Sequence, residues 1–414
     1  MGEHAGRDRA QPVAVGPPRR RAATRSERMR AQRARRRRRR LIRLVTTLLV
    51  AVVVAAAFVG ARLWHTLSSS NDYHGNGKSD VVIQIRSGDS TTAIGETLQD
   101  HNVVRTVKAF IEAAQGNSKI SAIQPGYYQM RTESSAAAAV QRLADPNNRV
   151  GRLVIPEGRQ LEDTTDVQTN TVTPGIFSLI SAATCVNLNG DRHCASVRDL
   201  RAAAGTTPAT VLEVPEWAVS AVLRMGTDHR RIEGLIAPGT FNVNPSGSPQ
   251  KILATLISTS AVEYAKSGLV DTAQEMHMSP YDVLVVASLV QGEAKPRDFP
   301  KVARVIYNRL AVHRPLELDS TVNYPLDRRE VATTDADREA STPWNTYVRD
   351  GLPATPICSP GTEALLAAEH PEPGDWLYFV TIDPQGTTLF TRNYQQHLEN
   401  IELAKRNGVL DSAR

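Results

Sequence analysis

The chain has 414 residues, and its 49 lysines and arginines against 43 acidic residues give a net charge of +6. The basic excess is confined to residues 1–40, which hold fifteen arginines and three acidic residues. The 350 residues from His65 onward carry a net charge of −8, which repels phosphates and excludes a nucleic-acid partner for the folded part. The composition also excludes collagen, coiled-coil and wholly disordered classes, and the length allows two or three domains.

Residues 1–40 are predicted to form an arginine-rich, disordered arm in the cytoplasm. The six consecutive arginines at 35–40 hold that side of the following helix in the cytoplasm, so residues 65–414 should be extracytoplasmic. The arm orients the helix and contacts anionic lipid, or it binds a nucleic acid or a cytoplasmic partner. The predicted location is the cell membrane, crossed once.

An apolar segment predicts a transmembrane helix over residues 41–64. Eighteen uncharged residues lie between Arg43 and Arg62, and as a helix they span about 27 Å of a hydrocarbon core of roughly 30 Å. Both arginines can reach the membrane surfaces, and Trp64 can lie at the interface. The alternative is a cleaved signal peptide, because the small residues at 55–57 resemble those at a cleavage site.

The first folded unit is predicted over residues 80–145, after a linker at 65–79 whose small polar residues favour flexibility. Apolar residues alternate from Val81 to Ile85, which predicts a strand, and helical spacings follow. Residues 126–130 predict a returning strand. The pattern predicts a small α+β unit, and it fits a packing domain and a carbohydrate-binding domain equally well.

Residues 146–248 are predicted to form a connecting subdomain. A strand is predicted at 152–155, but the periodicity is poor over 168–204, which predicts a loop-rich insertion. Regular patterning returns from 211 to 225. The insertion therefore interrupts an otherwise regular segment.

The three cysteines are predicted to lie in an oxidising space, where disulfides persist. Cys185 and Cys194 flank a short stretch of turn-forming residues, so they are the predicted disulfide pair, although a pairing with Cys358 stays open. No neighbouring base could activate the Cys358 thiol. Cys358 is interpreted as structural or outside any disulfide.

Residues 249–410 are predicted to form a third, mixed domain, so that the fold class of the whole chain is α+β. A helix is predicted to begin at Ser279, with Pro280 at its first position and Asp282 three residues after the cap. Uncharged residues follow until Glu293, which lies three residues after Val290. The helix is therefore predicted to face a core and to place one carboxylate at its edge.

Known motifs for metals, nucleotides and serine hydrolases do not occur in the chain. The ten histidines lack metal-ligand spacing, and there is no G-x-S-x-G, P-loop or dinucleotide fingerprint. We therefore predict no metal site and no cofactor. Carboxylate chemistry remains, and Glu293 is its candidate.

Desolvation at the edge of a core should raise the pKa of Glu293, as a general acid near neutral pH requires. A positioned general acid accelerates a reaction roughly 10²- to 10⁴-fold. In the alternative interpretation, Glu293 only ends a buried helix and pairs with Lys295 or Arg297. Spacing alone does not exclude that alternative.

Four motifs in order resemble the YceG-like family of endolytic murein transglycosylases, the membrane-bound MltG type, and the similarity extends over most of residues 80–408. The family's A-S-I-V-E-K-E resembles ASLVQGE at 287–293, which a helix ending in NRL follows. Its second motif, L-Q-x-D-P-T-V-x-Y, resembles LELDSTVNY at 316–324. Its third, S-P-Y-N-T-Y, resembles STPWNTY at 341–347, and its fourth, G-L-P-P-x-P-I, resembles GLPATPI at 351–357.

The resemblance implies that Glu293 is the catalytic acid, because it matches the second glutamate of E-K-E. Four positions differ from the family motifs. Gln291 replaces the first glutamate of E-K-E, and Glu317 replaces the glutamine of L-Q-x-D-P-T-V-x-Y. Ser320 replaces the proline after the aspartate in that second motif, and Gly239 replaces the aspartate of E-G-x-L-F-P-D-T-Y. The glutamine at 291 argues that one carboxylate suffices for the chemistry.

The implied reaction cleaves the β-1,4 bond from N-acetylmuramic acid to N-acetylglucosamine in nascent glycan strands and leaves 1,6-anhydro ends. Residues 249–410 would then be the catalytic domain, with no metal or redox cofactor. Substrate contacts are assigned to Asp319, Asn345, Thr346 and Tyr347, although each also suits a turn or a core.

The family's amino-terminal portion contains a LysM-like module, which residues 80–145 resemble, so this subdomain contacts glycan or only supports packing. Peptidoglycan is the implied partner, together with the membrane and the penicillin-binding synthases beside which such an enzyme would act. The alternatives are a membrane-anchored scaffold that binds peptidoglycan without cleaving it, and a muramidase-type hydrolase.

Overall fold

The computed structural model describes residues 44–62, 71–115, 117–329 and 333–409. The arginine-rich arm predicted at 1–40 lies outside the described residues, as do both ends of the predicted membrane helix and residues 65–70 of the predicted linker. The chain divides into two units, Met1–Asn71 and Asp72–Arg414.

The first unit contains one described helix, α1 (Leu44–Arg62), which is apolar along its length. Its mean hydropathy reaches 2.6 over 18 residues, and large apolar side chains such as Leu48 and Phe58 are exposed. Among the described residues it is the one helix long and apolar enough to cross a membrane. The prediction of an apolar helix at this position is confirmed.

The second unit begins with a three-stranded antiparallel sheet that packs with three helices. Strand β1 pairs with β2, and β3 lies on the other side of β2. Each helix begins at a Ser or Thr whose side chain accepts a backbone N–H, and the apolar faces form a separate core with Leu98, Phe110 and Met130. The elements are β1 (Asp80–Ile85), α2 (Thr91–Asp100), α3 (Val107–Ala114), β2 (Gly126–Arg131), α4 (Ala136–Leu143) and β3 (Arg149–Val150). The predicted strand, helix, helix, strand order is confirmed.

The middle of the second unit joins short strands to three helices. Its elements are β4 (Arg152–Ile155), β5 (Thr164–Asp166), β6 (Val172–Thr173), α5 (Ile176–Thr184), β7 (Val186–Leu188), β8 (Asp191–His193), α6 (Val197–Thr206), α7 (Glu216–Arg224) and β9 (Gly239–Asn242). Strands β4 and β9 pair antiparallel, and β5 lies between β6 and a later strand, β10 (Arg328–Arg329). These pairings tie distant parts of the chain to one core.

The prediction of a loop-rich insertion at 168–204 is wrong, because two helices lie in it. Helix α5 buries Phe177 and Ile180, and α6 buries Leu200, all in the main core. The helices were missed because each is only nine or ten residues long and shows few turns of periodicity. The side chain of Ser196 caps α6 by accepting the Asp199 N–H, a start signal that the sequence did contain.

The predicted disulfide between Cys185 and Cys194 is present and closes the β7–β8 hairpin. The hairpin tip contacts the first sheet, since the Asp80 N–H donates to Asn189 Oδ1 at 2.6 Å and the Asn189 N–H donates to Asp80 Oδ2 at 3.0 Å. Cys358 is buried elsewhere, with its Sγ 3.5 Å from the Ser288 carbonyl oxygen. The disulfide thus fixes a hairpin that bridges two parts of the second unit.

The remaining part is mostly helical and surrounds one central helix. Its elements are α8 (Pro249–Ser267), α9 (Leu269–Glu275), α10 (Pro280–Glu293), α11 (Phe299–Ala311), α12 (Asp319–Asn323), α13 (Asp335–Glu339), α14 (Thr362–Glu369), β11 (Tyr378–Thr381), β12 (Thr388–Thr391) and α15 (Tyr394–Arg406). Helix α10 packs against α7, α9, α11 and α14. The described chain is therefore a mixed α+β fold, as predicted.

Candidate active site

Helix α10 carries the candidate acid at its last residue. It begins as predicted, because the Ser279 side chain accepts the Asp282 N–H and Pro280 occupies the first helical position. Every residue from Val283 to Val290 is buried, so the helix is enclosed all round rather than along one stripe. Glu293 lies where this enclosed helix ends.

The Glu293 side chain is only partly exposed to solvent, and one of its oxygens receives a hydrogen bond. The Ser320 N–H donates to Glu293 Oε1 at 3.1 Å. Burial raises the pKa of Glu293, the side chain and the backbone N–H of Ser320 both oppose that shift, and the negative charge of Asp319 adds to it. The direction of the shift is the one expected for a general acid.

The two cations that could have neutralised Glu293 bind another part of the chain. Lys295 Nζ donates to the Gln385 carbonyl oxygen at 3.1 Å, and the Arg297 guanidinium donates to that of Gly386. Both carbonyls belong to the turn between β11 and β12. These contacts favour the interpretation of Glu293 as an acid over the alternative ion pair.

The segment that presents Ser320 to Glu293 is held by two buried threonines. Thr346 Oγ1 accepts the Leu318 N–H at 3.1 Å and lies 2.9 Å from Thr321 Oγ1. Thr321 Oγ1 also donates to the Leu318 carbonyl oxygen. Thr346 therefore contacts the start of α12, next to the acid, through buried protein groups.

Asp319 is the centre of a polar cluster beside Glu293. Its carboxylate accepts hydrogen bonds from the Tyr347 hydroxyl at 2.7 Å, from Thr333 Oγ1 at 2.7 Å and from Arg338 at 3.2 and 3.3 Å. The Arg338 guanidinium also lies over the Tyr347 ring. Burial and the charge of Asp319 raise the pKa of Tyr347, which keeps its hydroxyl protonated as a donor.

Asn345 is buried, and its side chain binds protein groups on both sides. Its Nδ2 donates to the carbonyl oxygens of Arg338 at 2.9 Å and Ala340 at 2.7 Å, while its Oδ1 accepts the Tyr347 N–H at 2.9 Å. The amide therefore joins the end of α13 to the loop that carries Tyr347.

Two side chains of helix α10 hold the last motif and the segment that follows it. Ser288 Oγ accepts the Ile357 N–H at 3.0 Å, and Gln291 Oε1 accepts the Gly361 N–H at 2.8 Å. Gln291 thereby ties the end of α10 to the start of α14. All four sequence motifs thus meet at the carboxyl end of α10.

Three contributors to this site were not identified from the sequence. Two of them, Thr333 and Arg338, lie outside the four matched motifs. The third is the Ser320 N–H, a backbone group that a match of side chains does not reveal. Only the polar residues around 333–338 could have indicated a cluster. In the described part of the chain, no three His, Cys, Asp or Glu residues are grouped so that they could hold a metal ion.

A second buried carboxyl, Glu233, lies in the interior rather than at this site. Its Oε2 accepts from the Tyr324 hydroxyl at 2.7 Å and from the Leu161 N–H at 3.1 Å. Burial raises the pKa of Glu233 to about 7. Its contacts join the middle part of the second unit to the end of α12.

The chain is similar to known proteins over most of its length. The profile of the YceG-like family matches residues 83–403. An endolytic murein transglycosylase of Bacillus subtilis is 27% identical over 328 residues, which cover 77% of this chain and 83% of that protein. The protein of the same name from Streptococcus pneumoniae D39 is 24% identical over 349 residues, which cover 81% of this chain and 60% of that protein. A solved YceG-like protein of Listeria monocytogenes aligns with 78% of this chain and 99% of its own, at 25% identity and a TM-score of 0.49.

Proposed function

The chain belongs to the YceG-like family, and we propose that it is an endolytic murein transglycosylase, a lyase acting within peptidoglycan strands. It cleaves the β-1,4 bond from N-acetylmuramic acid to N-acetylglucosamine and leaves a 1,6-anhydromuramic end. Relatives of that name match 77% and 81% of its length. The observation that carries the proposal is Glu293, a carboxyl with a raised pKa at the open end of a buried helix.

Glu293 acts first as an acid and then as a base. Its proton passes to the glycosidic oxygen as the bond from that oxygen to C1 of muramic acid breaks. The C6 hydroxyl of the same sugar attacks C1, and its proton passes to the Glu293 carboxylate, which restores the acid. Because the nucleophile belongs to the substrate, its attack is intramolecular and needs no bound water.

The surroundings of Glu293 support a reaction with one catalytic carboxyl. Glycosidases that use two need the second as a nucleophile or to activate water. Asp319, the neighbouring carboxylate, already accepts hydrogen bonds from Thr333, Arg338 and Tyr347. These bonds stabilise the anion and occupy its oxygens, so Asp319 is poorly suited to attack a sugar.

The other candidate residues divide into two roles in this proposal. Asp319 and Tyr347, which are partly exposed, orient the sugar and favour the positive charge that develops at C1. Asn345 and Thr346, which are buried, position Tyr347 and the start of α12 rather than contact the substrate. This assignment narrows the substrate contacts expected from the sequence.

The proposed location is the cell membrane, with residues 65–414 outside the cytoplasm. Support comes from α1, which is long and apolar enough to span a bilayer, and from the arginines at 35–40, which favour a cytoplasmic amino terminus. The disulfide between Cys185 and Cys194 fits an oxidising compartment. A membrane anchor would keep the enzyme near newly made strands.

Peptidoglycan strands are the proposed substrate, and penicillin-binding synthases are the proposed neighbours. Residues 80–145 are proposed to be LysM-like and to contact glycan; their separate core is consistent with an independent binding module. Residues 249–410 are proposed to be the catalytic domain, joined to the module by residues 146–248.

The test is digestion of purified peptidoglycan by the full-length protein in detergent, by Glu293→Gln and by Glu369→Gln. Glu369 is a matched control, because it is also buried, burial raises its pKa to about 7, and it lies at the other end of α14 from Gly361. We expect anhydro ends from the wild type and from Glu369→Gln, and none from Glu293→Gln, as measured by mass spectrometry.

Two results would replace the proposal. Ordinary reducing ends, heavier than anhydro ends by one water, would indicate a muramidase-type hydrolase. Equal binding of peptidoglycan by the wild type and Glu293→Gln without cleavage by either would indicate a scaffold.

A further inference from the structure

The Ser320 N–H is a fixed donor to the candidate acid. Ser320 is the second residue of α12, and the first N–H groups of a helix lack acceptors within that helix. This N–H can therefore donate to Glu293 Oε1, at 3.1 Å, without breaking a hydrogen bond of the helix. The buried threonine pair Thr321 and Thr346 holds the donor in place.

A fixed donor makes the two oxygens of the Glu293 carboxyl unequal. An N–H directed at Oε1 favours the form in which Oε1 is the acceptor, and it disfavours a proton on that oxygen. The proton of the acid is then carried by Oε2. The donor also stabilises the carboxylate that remains after the proton has left.

We propose that Ser320 is a positioning residue, whose backbone N–H assigns the transferable proton of Glu293 to Oε2. The inference rests on the proposed function, since the proton transferred is the one that the leaving oxygen receives. The family motif has proline at this position, and proline has no N–H. This chain therefore has a donor that the motif's own residue cannot supply.

The Ser320 hydroxyl offers a competing explanation that an experiment can separate. Its oxygen is buried and meets no partner at regular hydrogen-bond geometry among the described residues, yet the side chain also lowers the pKa of Glu293. If the hydroxyl alone tuned Glu293, then removing the N–H from the Ser320→Ala variant would leave the pKa of Glu293 unchanged. Variants of one position can remove the two groups separately.

The experiment compares three forms of position 320 in the full-length protein in detergent. Ser320→Ala removes the hydroxyl and keeps the N–H. The ester form carries lactic acid in place of that alanine, so the N–H alone becomes an oxygen. Ser320→Pro also removes the N–H, and thermal unfolding checks that each form folds; the ester form decides the question if proline prevents folding.

Two quantities are measured for every form. The first is the pKa of Glu293, from the ¹³C NMR signal of its carboxyl, which is assigned by its loss in Glu293→Gln. The second is the pH dependence of anhydro-product release. We expect Ser320→Ala to raise the pKa of Glu293, because the hydroxyl also stabilises the carboxylate. Relative to Ser320→Ala, we expect the ester and proline forms to raise the pKa further by about one unit, because the hydrogen bond from the N–H to the charged form is also lost. The fall of the rate at alkaline pH then moves up by the same amount.

A pKa in the ester form equal to that of Ser320→Ala overturns the inference, because those two forms differ only in the N–H. The shifted pKa in a protein that releases no anhydro product from any form supports the role of the N–H but contradicts the proposed function. The pKa readout does not depend on activity, so the two failures are distinguishable.

Discussion

Replacement of Asp319 by asparagine should weaken the polar cluster beside the acid. The carboxylate accepts bonds from Tyr347 and Thr333 at 2.7 Å and from Arg338 at 3.2 and 3.3 Å. An asparagine has one acceptor oxygen and turns the other position into an NH₂ group. That group cannot accept a bond from a guanidinium or a hydroxyl, so at least one donor loses its partner.

The expected loss of unfolding free energy is about 2 kcal/mol. Hydrogen bonds to charged groups contribute about 1.5–3 kcal/mol when desolvated. The side chains of Asp319 and Arg338 are 26% and 32% exposed, so solvent screens part of that interaction. Urea denaturation of wild type and Asp319→Asn, compared at equal m-values, measures the loss.

The same change should shift the pH profile of activity downward. The negative charge of Asp319 raises the pKa of Glu293, so its removal lowers that pKa. Because the rate needs protonated Glu293, its alkaline fall should move to lower pH. This shift is opposite in sign to the one expected when the Ser320 N–H is removed.

Asp335→Asn is the matched control, because Asp335 pairs with the same Arg338 at 3.8 Å but is 98% exposed. An exposed pair contributes little, so stability and pH profile should both stay at wild-type values. If Asp319→Asn behaves like this control in both measurements, the reasoning about the cluster is refuted.

Three further changes test the fold that holds the site. Ser288→Ala should lower the unfolding free energy by about 1–3 kcal/mol in urea, because the buried Ile357 N–H loses its acceptor, and an unchanged value would contradict that contact. Replacing Cys185 and Cys194 together with serine should lower it by about 2–3 kcal/mol, and a reductant should reproduce the loss only in the wild type. Burial alone would raise the pKa of Glu162, but its basic partners lower it to about 2. The free energy of unfolding of the wild type should therefore fall from pH 4.5 to 2 more steeply than that of Glu162→Gln. Parallel curves for the two proteins would exclude this linkage.

Elements with strong local signals were predictable from the sequence. The alternation from Val81 to Ile85 identified β1, and the Ser279 cap with Pro280 identified the start of α10. Helices α5 and α6 were missed because a helix of nine or ten residues shows little periodicity of its own. Their stability comes from burial in a core built from distant segments, which local patterns do not reveal.

The motifs predicted the candidate acid and several of its neighbours, whereas the contacts that hold those neighbours in place were not predictable. Glu293 follows from an uncharged helix and a family motif, and the structure gives it the expected direction of pKa shift. Arg338 contacts Asp319 across 19 positions of sequence, and no motif marks it. The burial of Asn345 also depends on how α13 closes over the loop. Such contacts arise from tertiary packing rather than from residue spacing.

The most direct test of the account is the pKa of Glu293 itself, measured by ¹³C NMR of its carboxyl in the wild-type, full-length protein. We expect that burial holds this pKa above the ordinary value of 4.5. A measured pKa at or below 4.5 would contradict the assignment of Glu293 as the proton donor.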